Sequence, residues 1–286
     1  MKFDLTLKQQ KEGLKISLKK DDKKTIRVLS LGAGVQSSVL AYMYEEGFLE
    51  NPPDFAVFAD TQREPDAVYE YFKEVKKRIT KFPIYLTTKG DLGKAPFKVP
   101  FFLKKEEGGV GMGWRQCTTD YKIRAVHQEV RNQLGLEKRK RWTHHVEMLL
   151  GISTDEKERC RLARDKWQTN IFPLIEIGFS REDCLQYLKD KGLPMAPKSS
   201  CYFCPYRNDK AWKQMKEQSP EDFKKACDYD KYLRSEEVLT MGKNKFKNHQ
   251  YVHRSCVPLS EVKFKNVGKI DAYSLDDACD GLMCGL

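Results

Sequence analysis

Nine cysteines stand in this chain, and their spacing is its first sign of chemistry. Cys201-Tyr202-Phe203-Cys204-Pro205 is a C-x-x-C pair followed by proline, an interval that lets two thiolates bind one metal centre. A metal needs further ligands. Cys117, within Arg115-Gln116-Cys117-Thr118, offers a third thiol far upstream, and Cys256, Cys279 or Cys284 offers a fourth unless that position stays open to substrate. Thiolates suit iron–sulfur clusters and zinc alike, so spacing alone does not separate the two. A redox-active pair and two packed core cysteines are the competing readings. Cys160, Cys184 and Cys227 fall in helical patterns and are assigned to packing.

A second feature is Ser30-Leu31-Gly32-Ala33-Gly34-Val35-Gln36-Ser37-Ser38. It follows a β-branched run and precedes apolar residues at helical spacing, the context in which backbone N–H groups and a helix dipole bind phosphate. Gly32 and Gly34 let the main chain approach a ligand, and Ser37 and Ser38 add hydroxyls. The Walker A lysine and the third glycine of the dinucleotide fingerprint are both absent. A plain tight turn is the alternative. Arg115, Lys122, Arg124, Arg159, Arg164 and Arg207 bracket these segments, and arginine suits bidentate contact with phosphate or sulfate. His253 is read as structural.

These residues need a scaffold. Ile26–Leu31, Phe55–Ala59, Phe82–Leu86 and Val146–Ile152 read as strands. Val35–Tyr44, Asp66–Ile79, Thr119–Leu134 and Arg181–Lys191 read as helices, and residues 90–113 as a long loop. Strands alternating with helices predict an α/β fold, a twisted and mostly parallel sheet with helices on both faces, plus a smaller helical, cysteine-bearing C-terminal region. Ligands of such sheets bind off the carboxyl ends of the strands, where Ser30–Ser38, Asp60-Thr61 and Gly151–Asp155 should converge. The expected division is a basic extension over 1–24, a nucleotide-binding domain over 25–198 and a cysteine region over 199–286.

Composition limits the partners. The 286 residues carry a formal charge of +11, favouring an anionic ligand, nucleic acid or acidic carrier. The lysine-rich leader Lys8–Lys24 and Lys138-Arg139-Lys140-Arg141 read as solvated loops or a nucleic-acid footprint. No apolar run approaches the roughly 20 residues of a membrane span and the start lacks a signal-peptide core, so the expectation is a cytoplasmic protein with no membrane partner and reduced cysteines.

The motifs resemble one superfamily. Gly32-Ala33-Gly34-Val35-Gln36-Ser37 is similar to the pyrophosphate loop of the adenine-nucleotide α-hydrolase-like (PP-loop) proteins, usually Ser-Gly-Gly-x-Asp-Ser, with glutamine here in place of aspartate. That glutamine looks more like the phosphoadenosine-phosphosulfate-reductase branch. Asp60-Thr61 with Glu64-Pro65 resembles the family's Asp-Thr-Gly segment, and Gly151-Ile152-Ser153-Thr154-Asp155-Glu156 with Arg159 resembles its second nucleotide-side loop. The resemblance implies an adenine nucleotide (ATP, adenylylsulfate or phosphoadenylylsulfate) held by Ser30, Gly32, Gly34, Gln36, Ser37, Ser38, Asp60, Thr61, Gly151, Ser153 and Arg159.

The iron–sulfur adenylylsulfate reductases carry a cysteine pair before a C-x-x-C at a similar interval, where this chain has Cys117 alone. The resemblance implies an iron–sulfur cluster, [4Fe–4S], on Cys117, Cys201, Cys204 and Cys284, with zinc as the alternative. Cys284-Gly285-Leu286 resembles the centre of those reductases' C-terminal nucleophile segment, so Cys284 is also the candidate catalytic thiol. The implied activity is a sulfonucleotide reductase with a thiol-protein electron donor. The alternatives are an ATP-dependent, AMP-forming enzyme modifying a nucleobase or nucleic acid, and a non-catalytic nucleotide or nucleic-acid sensor.

Overall fold

The computed structural model describes residues 24–105, 108–137, 140–241 and 248–264. The N-terminal extension up to residue 23, Lys138 and Arg139, and the candidate ligands Cys279 and Cys284 lie outside the described residues.

Five parallel strands form the central sheet: β1 Thr25–Ser30, β2 Phe55–Asp60, β3 Ile84–Thr88, β6 His145–Leu150 and β7 Gln168–Ile171. Their spatial order is β3-β2-β1-β6-β7. The chain leaves β1 for β2 on one side, and β6 lies on the other, so β1 and β6 frame the point where strand order reverses. Period-two alternation explains why both sheet faces are covered. Ile26 and Val28 of β1, Phe55 and Val57 of β2, and Val146 and Met148 of β6 share one core with Val126 and Val130 of helix α3, Arg124–Gln133. Leu29, Ala56, Phe58 and Leu149 point the other way, into a core with helices α1 Val35–Glu46, α2 Asp66–Arg78 and α5 Arg181–Asp190. Helix α1 is buried from Val39 to Tyr44, as a helix between sheet and outer helix must be. The expected fold class is the observed one.

Two expectations are revised. The single helix expected over 119–134 is a π-helical turn, Thr118–Ile123, followed by α3. Wide turns of this kind recur at functional sites. The expected loop over 90–113 contains β4 Phe102–Lys104 and β5 Val110–Met112, a hairpin joined by β8 Gln250–Tyr251 in a small antiparallel sheet. Strands of two or three residues are too short to show a period, and β4 meets β8 only after a long excursion of the chain.

A third core joins Leu92, Val99 and Phe101 to Tyr202, Phe203, Trp212, Met215, Phe223, Tyr229 and Val252. Its helices are α6 Asp209–Gln218 and α7 Pro220–Tyr232; short helices α4 Pro173–Glu176 and α8 Glu236–Thr240 complete the set among the described residues. Asp230, buried at the end of α7, accepts the N–H groups of Val252 (2.8 Å) and Leu259 (3.1 Å) and pairs with Arg234 (2.7 Å). No helix of the described residues is long and apolar enough to cross a membrane.

Candidate nucleotide and cysteine site

The glycine-rich turn connects β1 to α1 at the frame of the strand-order reversal. Gly34 is the N-cap of α1, and Ala33 before it adopts a left-handed backbone, φ 52°. The Ser37 hydroxyl accepts the Gly32 N–H at 3.1 Å and reaches the Gly34 carbonyl at 3.3 Å, tying the turn to the helix. Ser38 is wholly buried, and its N–H bonds to the Gly34 carbonyl at 3.1 Å, so its side chain takes no part in the loop's surface. Ser30 ends β1 beside Leu150.

Gly151 follows β6 and lies directly against the loop. Gln36 does the joining: its amide nitrogen donates to Glu156 Oε2 at 3.1 Å and lies 3.4 Å from Ser153 Oγ, and its oxygen accepts from Arg181 at 3.3 Å. Arg159 pairs with the same Glu156. Burial raises the Glu156 carboxyl above its usual range, against the opposing charge of Arg159. This geometry accounts for glutamine at position 36. A neutral amide can donate to a carboxylate and accept from a guanidinium at once, whereas an aspartate would set two carboxylates face to face.

The turn after β2 is rigid. Asp60 Oδ1 accepts the Gln62 N–H at 2.7 Å and the Tyr69 hydroxyl at 2.9 Å, and Gln62 is left-handed, φ 61°. Arg63 forms two 2.6 Å bonds to Asp91 and a 2.5 Å bond to the Tyr202 hydroxyl, linking this turn to the residue beside Cys201.

Cys117, Cys201 and Cys204 line one cavity together with Thr61, Arg115 and Lys122. The Cys201 sulfur is 3.3 Å from Thr61 Oγ1 and 4.0 Å from the buried Glu64 carboxylate, which Lys122 approaches at 3.7 Å. Burial pushes the Cys201 thiol up to about 12, with the Glu64 charge adding to the effect and Lys122 opposing it. A metal binding here must therefore displace a proton. Among the described residues no three His, Cys, Asp or Glu side chains converge as a site for one metal ion. Cys256 is buried with a left-handed backbone, φ 50°, and is not among the cavity's lining residues.

The remaining candidates sort plainly. Arg207 is buried and donates to the carbonyls of Ser200 (2.9 Å) and Cys201 (3.4 Å), so it holds the C-x-x-C backbone. Arg124 pairs with Asp120, and Arg164 is exposed. Cys184 and Cys227 sit in helices with their thiols pushed up by burial, to about 12 and about 11. Cys160 is packed but caps a 3-10 turn, not a helix. His253 is buried between Ser255 and Asp209, a structural histidine. Ser199 escaped the sequence reading. Its hydroxyl donates to the Gly32 carbonyl two residues before Cys201, and only the adjacency of two serines to the cysteine motif hinted at it.

No family model matches the chain, and no curated protein does. Among solved structures it is similar to the U34-tRNA thiolase NcsA from Methanococcus maripaludis with its [4Fe-4S] cluster, at 15% identity and a TM-score of 0.38, over 98% of this chain and 89% of that one.

Proposed function

We propose that this chain is an adenine-nucleotide-dependent enzyme whose nucleotide phosphates lie on the 32–37 loop and whose reacting group faces the cysteine-lined cavity, and that its reaction is the AMP-forming modification of a nucleobase or nucleic-acid acceptor. The observation that carries this is the segment Ser199–Cys201. Ser199 bonds to Gly32 of the phosphate turn, while Cys201 touches Thr61 at the end of β2. One three-residue stretch thus ties the proposed phosphate turn to a thiol that lines the cavity.

Cys117, Cys201 and Cys204 fit a soft metal group by donor type. Three thiols lining one cavity suit an iron–sulfur cluster, with zinc as the alternative. A [4Fe–4S] cluster would supply electrons or a site for a sulfur ligand. The chain's own residues do the rest. Loop N–H groups and the α1 dipole hold phosphate, Arg115 and Lys122 offset negative charge at the cavity, and Glu64 with Thr61 fixes Lys122 and Cys201.

Reduction of a phosphosulfate is the second reading, favoured by the neutral Gln36. Anaerobic incubation with ATP, adenylylsulfate and phosphoadenylylsulfate separates them by mass spectrometry. AMP with pyrophosphate from ATP supports the proposal, sulfite from a sulfonucleotide supports the second reading, and no turnover with any nucleotide and acceptor removes both.

A further inference from the structure

The most exposed large apolar residue described is Trp114, 84% accessible, and it sits next to Arg115 at the edge of the cysteine cavity. Its exposure is not a matter of looseness. Gly113 N–H bonds to the Phe101 carbonyl at 2.9 Å and Gln116 N–H to the Lys98 carbonyl at 3.0 Å, so the backbone is pinned on either side of the tryptophan. A held, solvent-facing indole costs hydration free energy unless something covers it.

The surroundings say what covers it. Phe97, also exposed, carries the Lys98 ammonium 5.7 Å from its ring centroid. Lys104 and Lys105 are exposed on the β4–β5 hairpin that leads into Trp114, and Arg115 stacks on Tyr206 at 5.0 Å. Aromatic faces interleaved with cations, on a chain of net charge +11, match the stacking platform and charged track of single-strand nucleic-acid binders. A second copy of the chain is the poorer occupant, because it would oppose like charges across the contact.

We infer that Trp114 is the stacking platform for an unpaired base of single-stranded nucleic acid, delivered to the mouth of the cysteine cavity, with Lys104 and Lys105 tracking its phosphates. This rests on the nucleic-acid acceptor reading above. It also gives the exposed aromatic beside Arg115 a role at a thiol-lined cavity: a base inside a duplex cannot enter, and stacking outside offsets part of the cost of splaying it out.

Full-length protein, purified without oxygen, would be titrated by fluorescence anisotropy against labelled RNA and DNA strands of about 12 nucleotides and the matching duplexes. Single strands of either sugar should bind better than duplex, with affinity falling between about 50 and 200 mM salt. Trp114→Ala should weaken single-strand binding roughly 5- to 150-fold, Trp114→Phe should retain most of it, and Lys104→Glu with Lys105→Glu should lower the salt slope by about 2. Comparison of the RNA and DNA arms identifies the source of the strand. Unchanged affinity in folded Trp114→Ala, no binding by the wild type at low salt, or a dimer that Trp114→Ala dissolves while strand binding persists would each overturn the inference. Adenine-nucleotide affinity and metal content are measured on the same samples. Their absence beside Trp114-dependent strand binding would defeat the enzymatic reading and leave this one standing; their presence without strand binding would do the reverse.

Discussion

A Cβ placed on Gly151 would lie 2.7 Å from the amide nitrogen of Ser37 and 2.8 Å from its Cα. The end of β6 and the start of α1 therefore meet at bare backbone, and no side chain can stand between them. Gly151→Ala must push the two apart, at a cost of about 1–3 kcal/mol. Because the displaced element is the turn proposed to hold phosphate, adenine-nucleotide affinity should fall at least about tenfold, by calorimetry on folded protein. Native affinity in that variant would remove the turn from the binding site.

Gly34 tests the same turn from its other side. Its Cβ position is 3.6 Å from Ser199 Cβ, an ordinary contact, so the added γ carbons of Gly34→Val should crowd Ser199 and the turn it bonds to. Ser199→Ala removes only that bond. The valine variant should lose nucleotide affinity by about an order of magnitude and the alanine variant by severalfold, with metal content unchanged in Ser199→Ala. Equal binding in all three proteins would place the nucleotide elsewhere.

Gln36 and Glu156 should behave as a coupled pair. Gln36→Asp brings a second carboxylate toward Glu156, whose carboxyl burial already raises, so the single variant should be destabilised at neutral pH. The penalty should shrink on acidification, when Glu156 takes up a proton. Adding Glu156→Gln should recover stability, giving a coupling of about 0.5–3 kcal/mol in a double-mutant cycle of urea melts. Additive effects would show that the two side chains do not face each other in solution.

The Arg63–Asp91 pair gives a second pH signature, from a carboxyl shifted in the other direction. Burial alone would raise Asp91, but hydrogen bonds from Arg63 and Gly93 outweigh it and leave the carboxyl below its usual range. A depressed carboxylate adds stability above its unfolded value of about 3.9, lost as pH falls through the lower folded value. Asp91→Asn should thus be less stable than wild type at neutral pH by about 1–2 kcal/mol, allowing for partial solvent screening, with the gap closing below about pH 4. A gap independent of pH would assign the loss to packing.

Cysteine chemistry supplies the last test. With metal removed, Cys201 should resist iodoacetamide near neutral pH and react progressively as pH approaches its value of about 12. Protein isolated anaerobically should be brown, and Cys201→Ser or Cys204→Ser should bleach it. Colourless protein with stoichiometric zinc would replace the cluster with zinc. Cys284→Ser separates the two roles expected of it from the sequence: loss of turnover with full metal content marks a nucleophile, and loss of metal marks a ligand.

Much of this was legible in the sequence because it is local or periodic. Strand-turn-helix at 25–46 follows from a β-branched run, glycines and helical spacing, and the parallel sheet follows from repeating that unit, since short crossovers leave few alternatives. C-x-x-C places two thiols together by chain geometry alone. The sequence could not say that Gln36 would be claimed by Glu156 and Arg181, that Ser199 would reach Gly32, or that Arg207 would hold carbonyls and not phosphate. Those pairings depend on how segments more than a hundred residues apart, or a buried turn and its neighbour, come to pack. The β4–β5 hairpin and the exposed Trp114 beside it were hidden for the same reason. Three-residue strands carry no period, and an exposed tryptophan is indistinguishable from a core one until the fold decides what covers it.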